Sequence, residues 1–187
     1  AQAPGCLPGR VAPVFLAPLE AEHIARLTVW KNDPDIAHQI AAHPNRHSEA
    51  DVQDWLARNA SDPNQVLLGI FEPEGAQVVG VARLMYIDWL SGVAELGIFI
   101  GEAGLQGRGH GRVAVSQLLG RAFGQHGLQR VHLKVMSDNV AAIRCYEACG
   151  FVHEGRLRDH FMSRGVRYDM LVMGILRGEY GKVLQAS

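Results

Sequence analysis

The sequence predicts an α/β (α+β) domain in which helices flank a mixed, mostly antiparallel central sheet. Three apolar segments follow one another at residues 65–72, 77–87 and 93–100, and turn-forming residues separate them. Such a succession favours an antiparallel meander. From residue 112 onward, helical and extended patterns alternate instead, which is typical of helices that cover a sheet. The 187 residues suit one domain with a sizeable core.

The N-terminal segment predicts an arm followed by an edge strand. Residues 1–10 are rich in Pro and Gly, so we expect a flexible arm that precedes a single domain over residues 11–187. Residues 11–19 alternate in the manner of a strand, but Pro13 and Pro18 interrupt them. Because proline cannot donate to a sheet ladder, this strand is expected at the edge of the sheet.

Three helices are expected before the meander. Residues 20–30 carry apolar side chains at loosely helical spacing, and a short helix is expected at residues 35–42. Ser48 followed by Asp51 has the pattern of a capping box. A third helix should therefore run from Ser48 to about residue 58.

The second half of the chain begins with a strong helical signal. Apolar side chains recur at i, i+3, i+4, i+7 and i+8 spacing after residue 112, and Gly127 is expected to end this helix. A strand is expected at residues 130–136, a helix at 140–149 and a long hairpin formed by 151–161 and 166–176. The residues of the helical stripe are Val115, Leu118, Leu119, Ala122 and Phe123.

Composition excludes several classes of protein. The 18 Lys and Arg residues and the 19 Asp and Glu residues nearly cancel, so the chain lacks the net positive charge that would attract nucleic acid or an anionic membrane. No apolar run approaches the roughly 20 residues that a membrane-spanning helix needs, and the first residues lack the pattern of a signal peptide. The three cysteines are too few for a disulfide framework, and the histidines show no metal-binding spacing on a clear helix face. We therefore expect a cytoplasmic protein without a metal.

A glycine-rich turn at residues 105–112 is the most informative segment of the chain. Glycine stands at every second position from 107 to 111, so several backbone N–H groups can converge on one ligand where a helix begins. Such a turn is typical of a site that binds a phosphate or pyrophosphate. The dinucleotide pattern G-x-G-x-x-A also fits residues 109–114. However, the preceding strand ends near residue 100 and no acid lies about 20 positions downstream, which disfavours a nucleotide-binding redox protein.

Two motifs resemble those of the GNAT (GCN5-related N-acetyltransferase) superfamily. Gln106-x-x-Gly109-x-Gly111 matches the signature Q/R-x-x-G-x-G/A, whose turn holds the pyrophosphate of acetyl-CoA in that family. Residues 139–151, which run from Asn139 to Phe151, resemble the signature N-x-x-A-x-x-x-Y-x-x-x-G-F. The resemblance implies the GNAT fold with splayed central strands. It also implies an acetyl-CoA-dependent N-acetyltransferase that transfers acetyl to a primary amine directly in a ternary complex.

Glu95 and Tyr146 are the candidate catalytic residues. Glu95 lies 11 positions before Gln106, similar to the histone-acetyltransferase branch, where a glutamate on this strand is the general base. Strand alternation places it on one face with Gly97 and Phe99, so we expect burial to raise its pKa. The alternative is that Glu95 is an exposed or ion-paired strand residue and that ordered water deprotonates the amine. Tyr146 matches the tyrosine that the family places beside the coenzyme sulfur. A phenol of pKa about 10 can protonate a thiolate of pKa about 8.5 at a cost of about 2 kcal/mol.

The resemblance also assigns the contacts with the cofactor. Backbone groups of the strand at 98–101 receive the pantetheine arm, and N–H groups of the glycine turn hold the pyrophosphate. Asn139 contacts the pantetheine arm, caps its own helix, or does both. The arginines either add charge near the phosphates or are solvated. The candidate acetyl-CoA-binding residues are Ile98, Phe99, Ile100, Gln106, Gly107, Arg108, Gly109, His110, Gly111, Arg112, Asn139 and Arg144.

Two classes of acceptor amine stay open. Residues 154–159 and 165–170 resemble the hairpin of the ribosomal-protein alanine N-acetyltransferase subgroup, which implies a protein N-terminal α-amino group as acceptor and a homodimer. Similar hairpins occur in spermidine and amino-sugar acetyltransferases, so a polyamine or an amino sugar is the alternative acceptor. A non-catalytic acyl-CoA-binding module on the same fold is a further alternative. The acidic residues that could attract a cationic amine are Asp88, Glu95, Asp159 and Asp169.

Overall fold

The computed structural model describes residues 13–73 and 77–185. The strands are β1 (Phe15–Ala17), β2 (Val66–Phe71), β3 (Val78–Asp88), β4 (Val93–Ile100), β5 (Arg130–Met136), β6 (Val152–Ser163) and β7 (Val166–Leu176). They form one seven-stranded sheet in the order β1-β2-β3-β4-β5-β7-β6. β4 and β5 run parallel, whereas the other neighbouring strands of this sheet run antiparallel. The sheet is therefore mixed and mostly antiparallel, as the sequence predicts.

Helices cover both faces of the sheet. They are α1 (Ile24–Lys31), α2 (Pro34–Gln39), α3 (Glu49–Ser61), α4 (His110–Gly120), α5 (Val140–Ala148) and α6 (Arg177–Gln185). Successive side chains of β3 point to opposite faces, so Val81 joins the core beneath α1 and α3, whereas Ala82 joins the core beneath α4 and α5. None of the helices that the structure describes is long and apolar enough to cross a membrane.

Most predicted elements are confirmed, with shifted ends. β1 is shorter than the predicted strand and lies at the sheet edge, Ser48 and Asp51 form the capping box of α3, and Gly127 has the positive φ of a helix stop. Helix α6 is not predicted, because the stretch contains two glycines and no apolar stripe. The hydroxyl of Tyr180 ties it to α4 by donating to the carbonyl of Ser116 at 3.1 Å. The predicted arm at residues 1–10 lies outside the described residues.

The two central strands diverge from each other. Residues 93–95 of β4 pair with residues 130–132 of β5, and the pairing stops there. β4 stays paired with β3 as far as Ile100 opposite Gly80, and β5 stays paired with β7 as far as Met136. A gap therefore opens between β4 and β5, which confirms the expected splayed strands.

Replacing Gly80 with alanine should destabilise the fold by about 1–3 kcal/mol, the usual cost of overpacking a core. A Cβ at Gly80 would lie 2.3 Å from the carbonyl oxygen of Phe99, and backbone cannot yield as a flexible side chain can. Urea unfolding measures the free energy of unfolding. Gly155→Ala is the matched control, because a Cβ at Gly155 would meet no atom within 4 Å. Equal unfolding midpoints for Gly80→Ala and the wild type would contradict this prediction.

Candidate active site

The turn before α4 requires glycine at two positions, because its backbone has positive φ angles there. Gly107 has φ +73° and Gly109 has φ +89°, a region that side chains with a Cβ rarely adopt. Gly109 is the residue that immediately precedes the first turn of α4. The amide of the Gln106 side chain donates to the carbonyl of Ile100 at 2.9 Å and so fastens the turn to the end of β4.

The turn presents a run of unused N–H groups. The first helical hydrogen bond of α4 runs from the nitrogen of Val113 to the carbonyl of Gly109 at 3.2 Å. Within the described part of the chain, the N–H groups of residues 107–112 donate to no protein acceptor. A helix N-terminus leaves four such groups free, and here the turn adds those of Gly107 and Arg108. These groups and the helix dipole suit a pyrophosphate.

The side chains around the turn have different roles. Arg108, Arg112 and Arg144 are exposed, and a Cβ at Gly111 would lie 3.8 Å from the sulfur of Cys145, so α5 borders the turn. The imidazole of His110 is only 2% exposed, and its Nδ1 lies 3.1 Å from the carbonyl of Leu105. His110 can therefore offer a ligand only its backbone N–H.

The end of β4 offers backbone groups to the gap. The nitrogen of Gly101 donates to the carbonyl of Val79 on β3 at 2.8 Å. Because backbone groups alternate along an antiparallel strand, Phe99 also faces β3, whereas Ile98 and Ile100 face the gap. The backbone groups of the predicted cofactor strand therefore alternate between β3 and the gap. Ile98 and Ile100 can bind a ligand in the gap through their backbone, and Phe99 contributes its ring, which packs edge-on against Trp30 at 5.9 Å.

A cavity of about 260 Å³ lies beside the gap and brings the two predicted catalytic residues together. α1, α2 and α3 contribute to its walls on one side, and β3, β4, β5 and α5 contribute on the other. Glu95 and Tyr146 both line it, although 51 positions separate them in the sequence. The cavity is therefore the place where an amine and a group held in the gap can meet.

The expected rise in the pKa of Glu95 is wrong, because the pKa lies below its ordinary value. β5 places two basic groups beside the carboxylate: His132 Nε2 at 3.5 Å and Lys134 Nζ at 3.1 Å. The interaction with His132 lowers the pKa most, and the hydrogen bond from Lys134 adds to it, so together they outweigh the opposing effect of burial. Glu95 is therefore ionised near neutral pH but is a weaker base than the sequence indicates.

Replacing Lys134 with methionine should raise the pKa of Glu95, because the carboxylate loses an ammonium group that stabilises its charged form. If Glu95 is the base, the acidic limb of the pH profile of kcat/KM should then move to higher pH. Profiles of the wild type and the variant with one amine measure this shift. The same substitution made together with Glu95→Gln should produce no shift. A Lys134→Met profile that superimposes on the wild-type profile would contradict the prediction.

Tyr146 is held in the wall of the cavity as a protonated phenol. It is 7% exposed, and its ring packs edge-on against Phe151 at 5.8 Å. Burial raises the pKa of Tyr146 well above its ordinary value. The ordinary phenol pKa that the sequence argument assumes is therefore too low, and the proton transfer to a thiolate is more uphill before any ligand changes the environment.

The remaining sequence candidates have structural roles. Asn139 caps α5, because its side-chain oxygen accepts from the nitrogen of Ala142 at 3.1 Å. Cys149 is buried, and Cys145 is half-buried next to it. Among the described residues, no group of three or more His, Cys, Asp or Glu side chains could hold a metal ion.

Sequence reasoning misses several residues of the cavity wall. Arg83 interrupts the otherwise apolar stretch of β3, and this charge within a buried strand is a signal that the sequence does contain. Lys31 and Lys134 of the wall, and His132 beside Glu95, give no such signal, because their position depends on which elements pack together. The aromatic side chains that line the cavity are Trp30, Trp55, Tyr86, Phe99 and Tyr146.

Comparison with known proteins identifies the family. Residues 14–152 match the acetyltransferase (GNAT) domain. The chain is 34% identical over 112 residues to spermidine N(1)-acetyltransferase of Vibrio cholerae, and this alignment covers 59% of the chain and 64% of that enzyme, less than two thirds of its length. It is 26% identical over 171 residues to YdaF of Bacillus subtilis, which bears the provisional name of a ribosomal N-acetyltransferase, with 89% of this chain and 91% of YdaF covered.

Comparison of structures agrees with this result. The crystal structure of the V. cholerae spermidine N-acetyltransferase in complex with CoA and spermine matches with a TM-score of 0.84 and 25% sequence identity. The match covers 89% of this chain and 97% of that chain. The splayed strands, the glycine turn and the matched family domain lead to one conclusion: the chain belongs to the GNAT family of N-acetyltransferases.

Proposed function

We propose that the protein transfers the acetyl group of acetyl-CoA directly to the primary amine of a small-molecule acceptor bound in the cavity. The observation that carries this proposal is that Glu95 and Tyr146 line one cavity beside the gap between β4 and β5. The relatives with a named acceptor support a small amine, since two of the comparisons lead to spermidine N-acetyltransferase. A protein α-amino group is the second acceptor class, which the similarity to YdaF supports.

Acetyl-CoA supplies an activated acetyl group as a thioester, and the residues of the chain bind it and transfer the protons. N–H groups of residues 107–112 hold the pyrophosphate, and the backbone of Ile98 and Ile100 holds the pantetheine arm in the gap. Glu95 receives the proton that the acceptor ammonium must lose, directly or through a water molecule. As the bond between nitrogen and carbon forms and the bond between carbon and sulfur breaks, Tyr146 gives its proton to the sulfur. The second proton that the nitrogen loses then restores the phenol. An unused backbone N–H of β4 can stabilise the charge that develops on the carbonyl oxygen.

The position of Cys145 supports direct transfer rather than an acetylated enzyme. Its sulfur lies near Gly111 and Cys149, and it is not among the residues that line the cavity. Interaction with Cys149 and burial raise the pKa of the Cys145 thiol, so the nucleophilic thiolate is disfavoured. Initial-rate plots with both substrates varied should therefore give intersecting rather than parallel lines.

An acceptor panel tests the proposal. The chain is incubated with acetyl-CoA and each of spermidine, an amino sugar, amino acids and a peptide with N-terminal alanine, while thiol release and the mass of the acceptor are followed. At least one small amine should gain one acetyl group per thiol released. A protein that binds acetyl-CoA but acetylates none of these acceptors would instead be a non-catalytic acyl-CoA-binding module. Acetylation of the peptide alone would favour the second acceptor class.

A further inference from the structure

The cavity that Glu95 and Tyr146 line has a positive net charge. Three basic side chains line it, namely Lys31, Arg83 and Lys134, against the single carboxylate of Glu95. The formal charge of the wall is thus 3 − 1 = +2 when His43 and His47 are neutral. A cavity that concentrates positive charge attracts anions and repels a guest whose only charges are ammonium groups.

Two of these cations form no ion pair with any described residue. Lys134 is paired with Glu95 at 3.1 Å, but within the residues that the structure describes neither Arg83 nor Lys31 makes a hydrogen bond or an ion pair. Both side chains are half-buried, and a half-buried charge without a partner is costly. Burial, together with the smaller effects of the charges of Arg83 and Arg58, accordingly lowers the pKa of Lys31 to about 8.

Both cations are held in place at the cavity wall. The ammonium of Lys31 lies 3.9 Å from the centre of the Trp55 ring, which fixes its position by a cation–π contact. The guanidinium of Arg83 extends over β4, where Nε lies 3.1 Å from the point that a Cβ of Gly97 would occupy. Gly97 therefore leaves the space through which Arg83 reaches the cavity, two residues from Glu95.

The other candidate acids are engaged elsewhere. Asp88 accepts hydrogen bonds from the nitrogens of Leu90 and Ser91, both at 3.0 Å, within the turn between β3 and β4. Asp169 binds Arg156 and the nitrogen of Asp159 in the hairpin of β6 and β7. Neither these two carboxylates nor Asp159 lines the cavity. A polyamine would thus find one carboxylate there, already paired with Lys134.

We propose that the acceptor is a small primary amine that also carries an anionic group, of carboxylate or phosphate type, which Arg83 and Lys31 bind while the amine faces Glu95. This inference rests on the proposed function and names its substrate class. The planar guanidinium can bind either anion through two parallel hydrogen bonds. The rings of Trp30, Trp55 and Phe99 enclose the apolar body of the acceptor.

Matched pairs of amines test this specificity. Ornithine is compared with putrescine, which lacks its carboxylate, and phosphoethanolamine with ethanolamine, which lacks its phosphate; spermidine is included. In at least one pair, the wild-type protein should show a kcat/KM at least about tenfold higher for the anionic member. Which pair shows it distinguishes a carboxylate from a phosphate. A preference for spermidine, or for the member without the anionic group in both pairs, overturns the inference.

Arg83→Gln and Lys31→Met identify the residues responsible. Each should lower kcat/KM for the anionic amine by about 10- to 100-fold through KM, with little change in kcat, while the partner without the anion changes less than about twofold. Arg177→Gln is the control, because Arg177 is exposed and does not line the cavity. Circular dichroism checks that each variant is folded, and Lys31→Met provides an independent test if Arg83→Gln does not fold. Equal losses for both members of a pair overturn the inference.

Failure of this inference can be distinguished from failure of the proposed function. If no amine in either panel causes thiol release, the proposed acetyl transfer is wrong. If amines are acetylated but the anionic members have no advantage, the transfer stands and the assigned substrate class is wrong.

Discussion

Replacing Tyr146 with phenylalanine should lower kcat about 100- to 10,000-fold, the usual contribution of a general acid. The substitution keeps the ring and its edge-on contact with Phe151 and removes only the phenolic proton that the leaving sulfur needs. The dissociation constant of acetyl-CoA should stay within about twofold of the wild-type value, because the pyrophosphate and the pantetheine arm bind elsewhere. Steady-state kinetics and calorimetric titration measure the two quantities separately.

Tyr180→Phe is the matched control for that experiment. The hydroxyl of Tyr180 donates to Ser116 outside the cavity, so its loss should affect stability by about 1 kcal/mol and leave kcat unchanged. Wild-type kcat in Tyr146→Phe would show that the sulfur takes its proton from another source. Equal losses of kcat in both variants would show that the effect is structural rather than chemical.

The environments of Glu95 and Tyr146 shift their pKa values in opposite directions. Basic groups of β5 lower the pKa of Glu95, and burial raises that of Tyr146. Near neutral pH the first is therefore ionised and the second protonated, which are the states that a base and an acid need before reaction. The contribution of the ionised Glu95 to stability is present above the pKa of the unfolded chain and is lost as the pH falls through the lower folded value.

The sequence predicts what depends on local pattern. Strand alternation, the helical stripe after residue 112, the capping box at Ser48 and the glycine turn are set by neighbours in the chain, and the structure contains all of them. The two catalytic candidates are also found together, because the resemblance to a known family assigns Tyr146 through its motif and Glu95 through its spacing from Gln106. The short α6 is missed since its helix depends on a contact of Tyr180 with α4 rather than on periodicity.

The electrostatics of the site could not be predicted in the same way. The environment of Glu95 inferred from β4 alone is apolar, but the register that pairs Glu95 with His132 of β5 determines its pKa. The positive cavity likewise depends on α1 meeting β3 and β5, which brings Lys31, Arg83 and Lys134 to one wall. Charges contributed by distant segments become neighbours only through tertiary packing. The sequence of β4 alone therefore predicts the wrong direction for the pKa shift of Glu95.

Replacing Gly109 with tryptophan should weaken acetyl-CoA binding at least about 100-fold. The side chain would stand among the unused N–H groups of residues 107–112, and losing two hydrogen bonds to a charged phosphate is enough for that change. The positive φ of Gly109 adds a strain of about 1–2 kcal/mol for any residue with a Cβ. Calorimetric titration with acetyl-CoA measures the affinity, and thermal unfolding measures the strain separately.

Two further variants separate occlusion from strain. Gly109→Ala imposes the same backbone strain with little bulk, so it should lower stability while weakening binding less than tryptophan does. Gly104→Trp carries the same bulk at a position where a Cβ would meet no atom within 4 Å and φ is not positive, so its affinity should equal that of the wild type. Wild-type affinity in folded Gly109→Trp would mean that the pyrophosphate binds away from the turn. The gap between β4 and β5 would then have to receive the pantetheine arm from another direction, and the positions assigned to the donor and the acceptor would no longer hold.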